Sequence, residues 1–259
     1  MSKIITVANQ KGGVGKTTTS LALASGLARK GFRVLAVDLD PQTNMTLSSG
    51  ISPLLDYGSL YDVFKGQADA KDTIQKSDLK YDVMPGGINL AGADMDFTQT
   101  GREFMLKETL QELDEGYDFI VIDTAPTLGI LTVNALTAAS VVVIPMAVDI
   151  YSLQGLSQLN MLINNVRKYC NPQLEIGGLL VTKWVERQTL SSVIFSKMQE
   201  AAKEIGAKIY DSKIRESVAL RKVAVMQADM YEKANKANAT KDYSKFIEEL
   251  MKGGIDRDK

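Results

Sequence analysis

Short apolar, β-branched runs alternate along this chain with longer stretches whose apolar positions recur every three or four residues. That is the pattern of buried strands alternating with amphipathic helices. Strands are predicted at 3–8, 33–37, 81–84, 117–123, 141–144 and 174–182, with a short one at 207–210. Helices are predicted at 19–30, 59–64, 70–75, 103–113, 153–168, 191–204 and 218–226, and another closes over 135–139. Leu156, Leu159, Ile163 and Val166 make one stripe, and Val193, Ile194, Met198, Ala201 and Ile205 another, both explained by core packing. Residues 233–241 are polar and read as a loop, after which Asp242 opens a final helix with Tyr243, Phe246, Ile247, Leu250 and Met251 on its apolar side. The alternation specifies an α/β fold: a doubly wound, mostly parallel sheet with helices on both faces. With no repeat, low-complexity tract or linker, residues 1–259 are expected to form a single domain, with the C-terminal helix 242–252 packed on it.

Three of the predicted strands run into chemistry. The first leads into Asn9-Gln10-Lys11-Gly12-Gly13-Val14-Gly15-Lys16-Thr17-Thr18, followed at once by a helix. Strand, glycine-rich turn and helix are the context of a phosphate-binding loop, in which successive N–H groups and the positive helix end converge on one anion. Lys16 is placed to reach the β- and γ-phosphates and the Thr17 hydroxyl to ligate Mg2+. The second strand ends in Asp38-Leu39-Asp40-Pro41-Gln42, and the fourth in Asp123-Thr124-Ala125-Pro126. Ligands of open α/β sheets bind beyond the carboxyl ends of strands, so these aspartates should face the same nucleotide.

The loop departs from the usual G-x-x-x-x-G-K-[ST] pattern, with Gln10 in place of the first glycine and Lys11 after it. With that second lysine the chain resembles the ParA/MinD family of deviant Walker A ATPases, and within it the Soj-type partition ATPases. The resemblance implies ATP and Mg2+ as cofactors, with Lys11, Lys16 and Asp40 as catalytic residues: Lys11 would cross a dimer interface to the partner's ATP, and Asp40 would orient the attacking water. It implies nucleotide contacts from Lys11, Gly12, Gly13, Val14, Gly15, Lys16, Thr17, Thr18, Asp38, Asp123, Pro126, Lys183 and Arg215, and metal contacts from Thr17, Asp40 and Asp123. D-T-A-P-x-x-G matches the second switch loop, and Pro145, Tyr151, Leu153, Gln154 and Gly155 match the family's P-x5-Y-x-L-Q-G pattern. Ile214-Arg215-Glu216-Ser217 stands where many relatives have Ile-Pro-Arg-Asn, a loop that often packs against adenine. No N-K-x-D guanine motif is present, which agrees with ATP.

Composition narrows the reaction. The 259 residues include no histidine, so hydrolysis must rely on carboxylates, lysines and Mg2+. The single cysteine, Cys170, excludes an internal disulfide and a zinc site within one chain. The first residues show no signal peptide, and no apolar run approaches the roughly 20 residues of a membrane span. A cytoplasmic, nucleoid-associated protein is expected. From Lys183 onward Lys and Arg outnumber Asp and Glu by 16 to 12, although the whole chain carries a net charge of −1. For a ParA-like protein this bias implies nonspecific binding of double-stranded DNA by the ATP-bound homodimer, with Lys183, Arg187, Lys197, Lys213, Arg215, Arg221 and Lys222 as candidate phosphate contacts. The resemblance further implies release by a ParB-like activator and slow turnover. The alternative is a MinD-like ATPase that positions proteins at a membrane, which needs a basic amphipathic terminal helix. The final helix instead lines its polar side with Asp242, Glu248 and Glu249, so membrane binding is not expected.

Overall fold

The computed structural model describes residues 2–52, 58–113, 116–149, 151–185 and 189–255. Eight strands form one sheet: β1 (Lys3–Val7), β2 (Val34–Leu39), β3 (Gln75–Lys76), β4 (Asp82–Met84), β5 (Phe119–Thr124), β6 (Val141–Ala147), β7 (Glu175–Trp184) and β8 (Ile209–Arg215). Their order is β3-β4-β2-β5-β1-β6-β7-β8, parallel throughout except where β3 pairs antiparallel with β4 at one edge. The central strands β2, β5 and β6 are buried at every position, as apolar strands covered on both faces must be.

On one face, helix α1 (Lys16–Arg29) and the C-terminal helix Asn238–Leu250 bury Leu23, Leu27, Tyr243, Phe246 and Ile247 against Ile5, Val7 and Val121. The other face carries two clusters. The helices Met105–Gln111 and Ile130–Ala138 cover β2 and β5, and Tyr151–Tyr169 and Thr189–Glu204 cover β6 and β7. Gly26 lets α1 and the C-terminal helix approach, since a Cβ there would lie 2.3 Å from Ile247 Cδ1.

Several predicted boundaries are corrected. β6 continues through Pro145 to Ala147, beyond the predicted end at residue 144, because β1 pairs with it only at Val141–Val143. Past that point no β1 carbonyl needs the missing proline N–H, and the Pro145 carbonyl instead accepts Asn9 Nδ2 at 2.8 Å. The short strand expected at 207–210 and the loop expected at 214–217 are joined in β8, which runs on to Arg215. Its polar middle is held by Glu249, whose carboxylate accepts Asp211 N at 2.8 Å and Ser212 N at 3.1 Å. The C-terminal helix opens at Asn238, inside the expected loop. Val193, expected inward, is 54% exposed, whereas Ile194, Met198 and Ala202 carry the buried stripe at a four-residue interval.

Candidate functional site

The turn between β1 and α1 is stretched open by Gly13 (φ 71°) and Gly15 (φ 89°), in the left-handed region that glycine alone enters without cost. Gly15 is the N-cap of α1 and supplies no side-chain cap, so the first N–H groups of the helix are left for an external acceptor. The loop is pinned from both sides. Asn9 Oδ1 accepts Lys11 N at 2.9 Å, and Thr182 at the end of β7 donates its hydroxyl to the Val14 carbonyl at 2.8 Å. Lys16 is buried with its Nζ donating to the Lys11 carbonyl at 3.1 Å. Burial lowers its pKa, opposed by the charges of Asp123 and Asp40.

A cavity of about 470 Å3 opens over the loop. Of the expected nucleotide residues, Gly12 to Thr18, Pro126, Lys183 and Arg215 line it, together with Asp40. Ile214–Ser217 forms part of the opposite wall, so this stretch borders the cavity without the proline that many relatives carry. Thr182, Gln42, Asn44 and Tyr243 also line it and were missed in the sequence. Thr182 was within reach of a simple signal, since it lies at the carboxyl end of a predicted strand.

The acidic residues divide into different roles. Asp38 and Asp123 are directly paired in register on neighbouring strands, and both are fully buried. Asp38 does not reach the cavity. Its Oδ2 accepts Thr46 N at 2.9 Å and Thr46 Oγ1 at 2.7 Å, and its Oδ1 accepts Asp40 N at 3.1 Å, so it fastens the loop that follows β2. The expected nucleotide contact from Asp38 is corrected accordingly. Asp123 accepts the Ser20 hydroxyl at 3.0 Å through Oδ1, while Oδ2 is buried with no hydrogen-bond partner among the described residues. Burial raises the pKa of both carboxyls; the charge of Asp38 lifts Asp123 further and that of Asp40 lifts Asp38, while the Thr46 bonds to Asp38 and the Thr17 and Ser20 hydroxyls beside Asp123 oppose the rise. Asp40 lies at the rim, its Oδ1 accepting Gln42 N at 2.9 Å. An orphaned anionic oxygen below a hydroxyl at the start of α1 suits a hard divalent cation, directly or through water. Thr17, Asp40 and Asp123 therefore fit Mg2+, although they do not form a closed acidic cage.

Lys11 does not line the cavity; within this single chain its Nζ is ion-paired with Asp149, just beyond β6. The candidate DNA contacts scatter. Lys197, Arg221 and Lys222 are exposed. Lys213 is stacked with Nζ 4.2 Å from the Trp184 ring centroid and 3.9 Å from that of Phe195. Arg215 forks onto Asp242 through Nε at 2.9 Å and an NH2 contact at 2.6 Å. The charges of these two serve the fold, which corrects their expected role as open phosphate contacts. Arg187 lies outside the described residues.

Residues 2–176 match a family described as an AAA domain. The sporulation initiation inhibitor protein Soj of Bacillus subtilis is 43% identical over 222 residues, covering 85% of this chain and 87% of that protein. The chromosome partitioning protein ParA of Caulobacter vibrioides is 36% identical, covering 98% of this chain and 96% of that one. Among solved structures, cobyrinic acid a,c-diamide synthase from Mycobacterium smegmatis with a bound ATP analogue and magnesium superposes with a TM-score of 0.84. It is 32% identical and covers 97% of this chain and 95% of its own. A putative plasmid partition protein of Borrelia burgdorferi B31 bound to AMPPNP gives 0.79 at 27% identity, covering 98% of each chain.

Proposed function

The chain belongs to the ParA/Soj family of partition ATPases, and from that premise we propose that it is an ATP-driven dimerising switch that carries DNA cargo. The observation that carries this reading is the open phosphate loop set above an orphaned carboxylate oxygen. The loop N–H groups and the uncapped end of α1 would hold the phosphates, with Lys16 brought onto them from the Lys11 carbonyl. Thr17 and Asp123 would hold Mg2+, which would supply charge neutralisation between the β- and γ-phosphates. Asp40, at the rim beside Gln42, would orient the attacking water. A carboxylate is a weak base, so turnover should be slow and serve as a timer.

Lys11 would leave Asp149 and meet the nucleotide of a second copy, in the manner of an arginine finger. Two copies would thus be joined through their nucleotides and parted by hydrolysis. Arg221, which lines the cavity, and Lys222 beside it in sequence are exposed and, with Lys197, would offer phosphate contacts to duplex DNA. A ParB-like protein would trigger release, and the setting would be the cytoplasm at the nucleoid. The membrane alternative loses support from the C-terminal helix, because Tyr243, Phe246, Ile247 and Leu250 are already buried against the sheet and α1.

Nucleotide binding and turnover test the assignments. Lys16→Ala should weaken Mg-ATP binding at least about hundredfold, the scale of losing a preorganised charged donor. Asp40→Ala should still bind Mg-ATP, through the loop, Lys16, Thr17 and Asp123, and hydrolyse it at under about a hundredth of the wild-type rate. An Asp40→Ala variant that turns over normally would remove Asp40 from the mechanism.

A further inference from the structure

The loop that follows β5 is fixed at both ends, and its far end is fixed from another part of the chain. The near end is Asp123 in β5; the far end is the helix Ile130–Ala138, which opens at Gly129. Gly129 has no side chain with which to cap that helix. The cap comes from Asp94, whose Oδ1 accepts Ile130 N at 2.8 Å across 36 positions of sequence. The Thr132 hydroxyl closes the same turn by donating to the Thr127 carbonyl at 2.7 Å. A Cβ on Gly129 would lie 2.5 Å from Asp94 Oδ2 and 3.1 Å from Oδ1, so a side chain there drives the carboxylate off Ile130 N. The Gly129 backbone (φ −77°, ψ −170°) is extended and open to other residues. Asp94 is therefore what demands the glycine that ends D-T-A-P-x-x-G.

Asp94 belongs to a strap, residues 85–97, that leaves β4 and buries Leu90, Ala93 and Phe97 in one cluster with Ile130 and Leu131. The other end of the strap is tied to the loop after β2. Gly86 N donates to Thr46 Oγ1 at 3.3 Å, and that hydroxyl donates in turn to Asp38 Oδ2. A Cβ on Gly86 would lie 2.7 Å from the Asp38 carbonyl oxygen, so the approach is close. One segment thus holds both the loop that carries Asp40 and the loop that follows Asp123. We propose that Asp94 is a positioning residue for ATP hydrolysis: as the cap of Ile130–Ala138 it holds the second switch loop, and through the strap it keeps that loop in register with Asp40. The proposal rests on the nucleotide reading of the cavity and adds a residue outside the cavity wall. Pro126, within the held loop, lines the cavity, as does Asp40. Releasing the cap should disturb turnover more than binding, because the phosphates are held by Gly12 to Thr18 while the attack depends on loop geometry.

Steady-state ATP hydrolysis by the full chain, with Mg-ATP affinity measured alongside by a fluorescent analogue, tests this. Asp94→Ala should lower kcat about tenfold and leave affinity within about twofold of wild type. Asp94→Asn, whose amide oxygen still accepts Ile130 N, should recover most of the rate. Gly129→Ala should slow the enzyme as Asp94→Ala does. The double variant should be no slower than either single one, because the added Cβ then meets no carboxylate. Wild-type kcat in Asp94→Ala, even with a lower melting temperature, would show that the cap serves only the fold and would overturn the proposal. Losses that multiply in the double variant, or an Asp94→Asn as slow as Asp94→Ala, would overturn it too. If wild type hydrolyses ATP and the Asp94 variants match it, only this inference fails; if wild type neither binds nor hydrolyses ATP, the nucleotide reading fails with it.

Discussion

The phosphate-loop side of the cavity and the wall opposite it, built from β8 and the C-terminal helix, use charge in contrary ways. On the wall three charges are consumed within the fold: Arg215 by Asp242, Lys213 by two aromatic rings, and Glu249 by two backbone N–H groups of β8. On the loop side an α-helix starts without a cap, Asp123 buries an oxygen with no partner, and Lys183 holds its amine over glycine. Unsatisfied groups of that kind cost stability and persist where a ligand completes them. The difference separates residues kept for a ligand from residues kept for the fold, even where both line one cavity.

Cutting the wall should therefore hurt stability, and cutting the loop side should not. The largest effect is expected from Asp242→Ala, which strands a half-buried guanidinium. A loss of about 3 kcal/mol is expected, read as a fall of about 6–12 °C in a thermal melt. Tyr243→Phe is the next test. Its hydroxyl meets Thr19 Oγ1 at 3.0 Å inside the core, tying the C-terminal helix to α1. Removing it should cost about 1 kcal/mol in denaturant titration with the m-value unchanged. Equal losses from both variants would show that the two contacts hold the wall alike.

The remaining test is a slope. Burial raises the folded-state pKa of Asp123, with Asp38 adding to the shift, so the native state retains protons that the unfolded chain has released. Stability of the nucleotide-free protein should then fall as pH rises from the ordinary carboxylate range towards neutrality, by up to about 1.4 kcal/mol per pH unit for a fully retained proton. Asp123→Asn should flatten that slope while leaving the melting temperature at pH 8 no lower than wild type. A wild-type curve that rises over the same window would show that the pair is held by cations even without nucleotide.

The loop side was largely legible in the sequence because each of its parts is local. Lys3–Val7 leads straight into the glycines, and Asp40 and Asp123 lie at or just past the ends of strands apolar enough to be recognised alone. The wall was not legible, because its elements are completed by partners far along the chain. β8 looks broken at Asp211 and Ser212 until Glu249 is folded over their N–H groups. The start of the C-terminal helix looks like a loop until Ala239 and Thr240 are seen to be buried. Lys213 and Arg215 read as open cations because their aromatic and acidic partners come from other elements. Asp38 shows the same limit on the loop side. Its place at a strand end suggested a ligand, and only Thr46, eight residues later, shows it to be a fastening.

The central claim is that bound nucleotide, completing the loop side, joins two copies of the chain. Sedimentation velocity of Asp40→Ala, which should hold ATP without consuming it, measures this most directly. The account predicts a monomer without nucleotide and a stable dimer with Mg-ATP, with the dimer lost in the Asp40→Ala/Lys11→Ala double variant. A chain that sediments as a monomer with saturating Mg-ATP, or a dimer indifferent to Lys11, would contradict it.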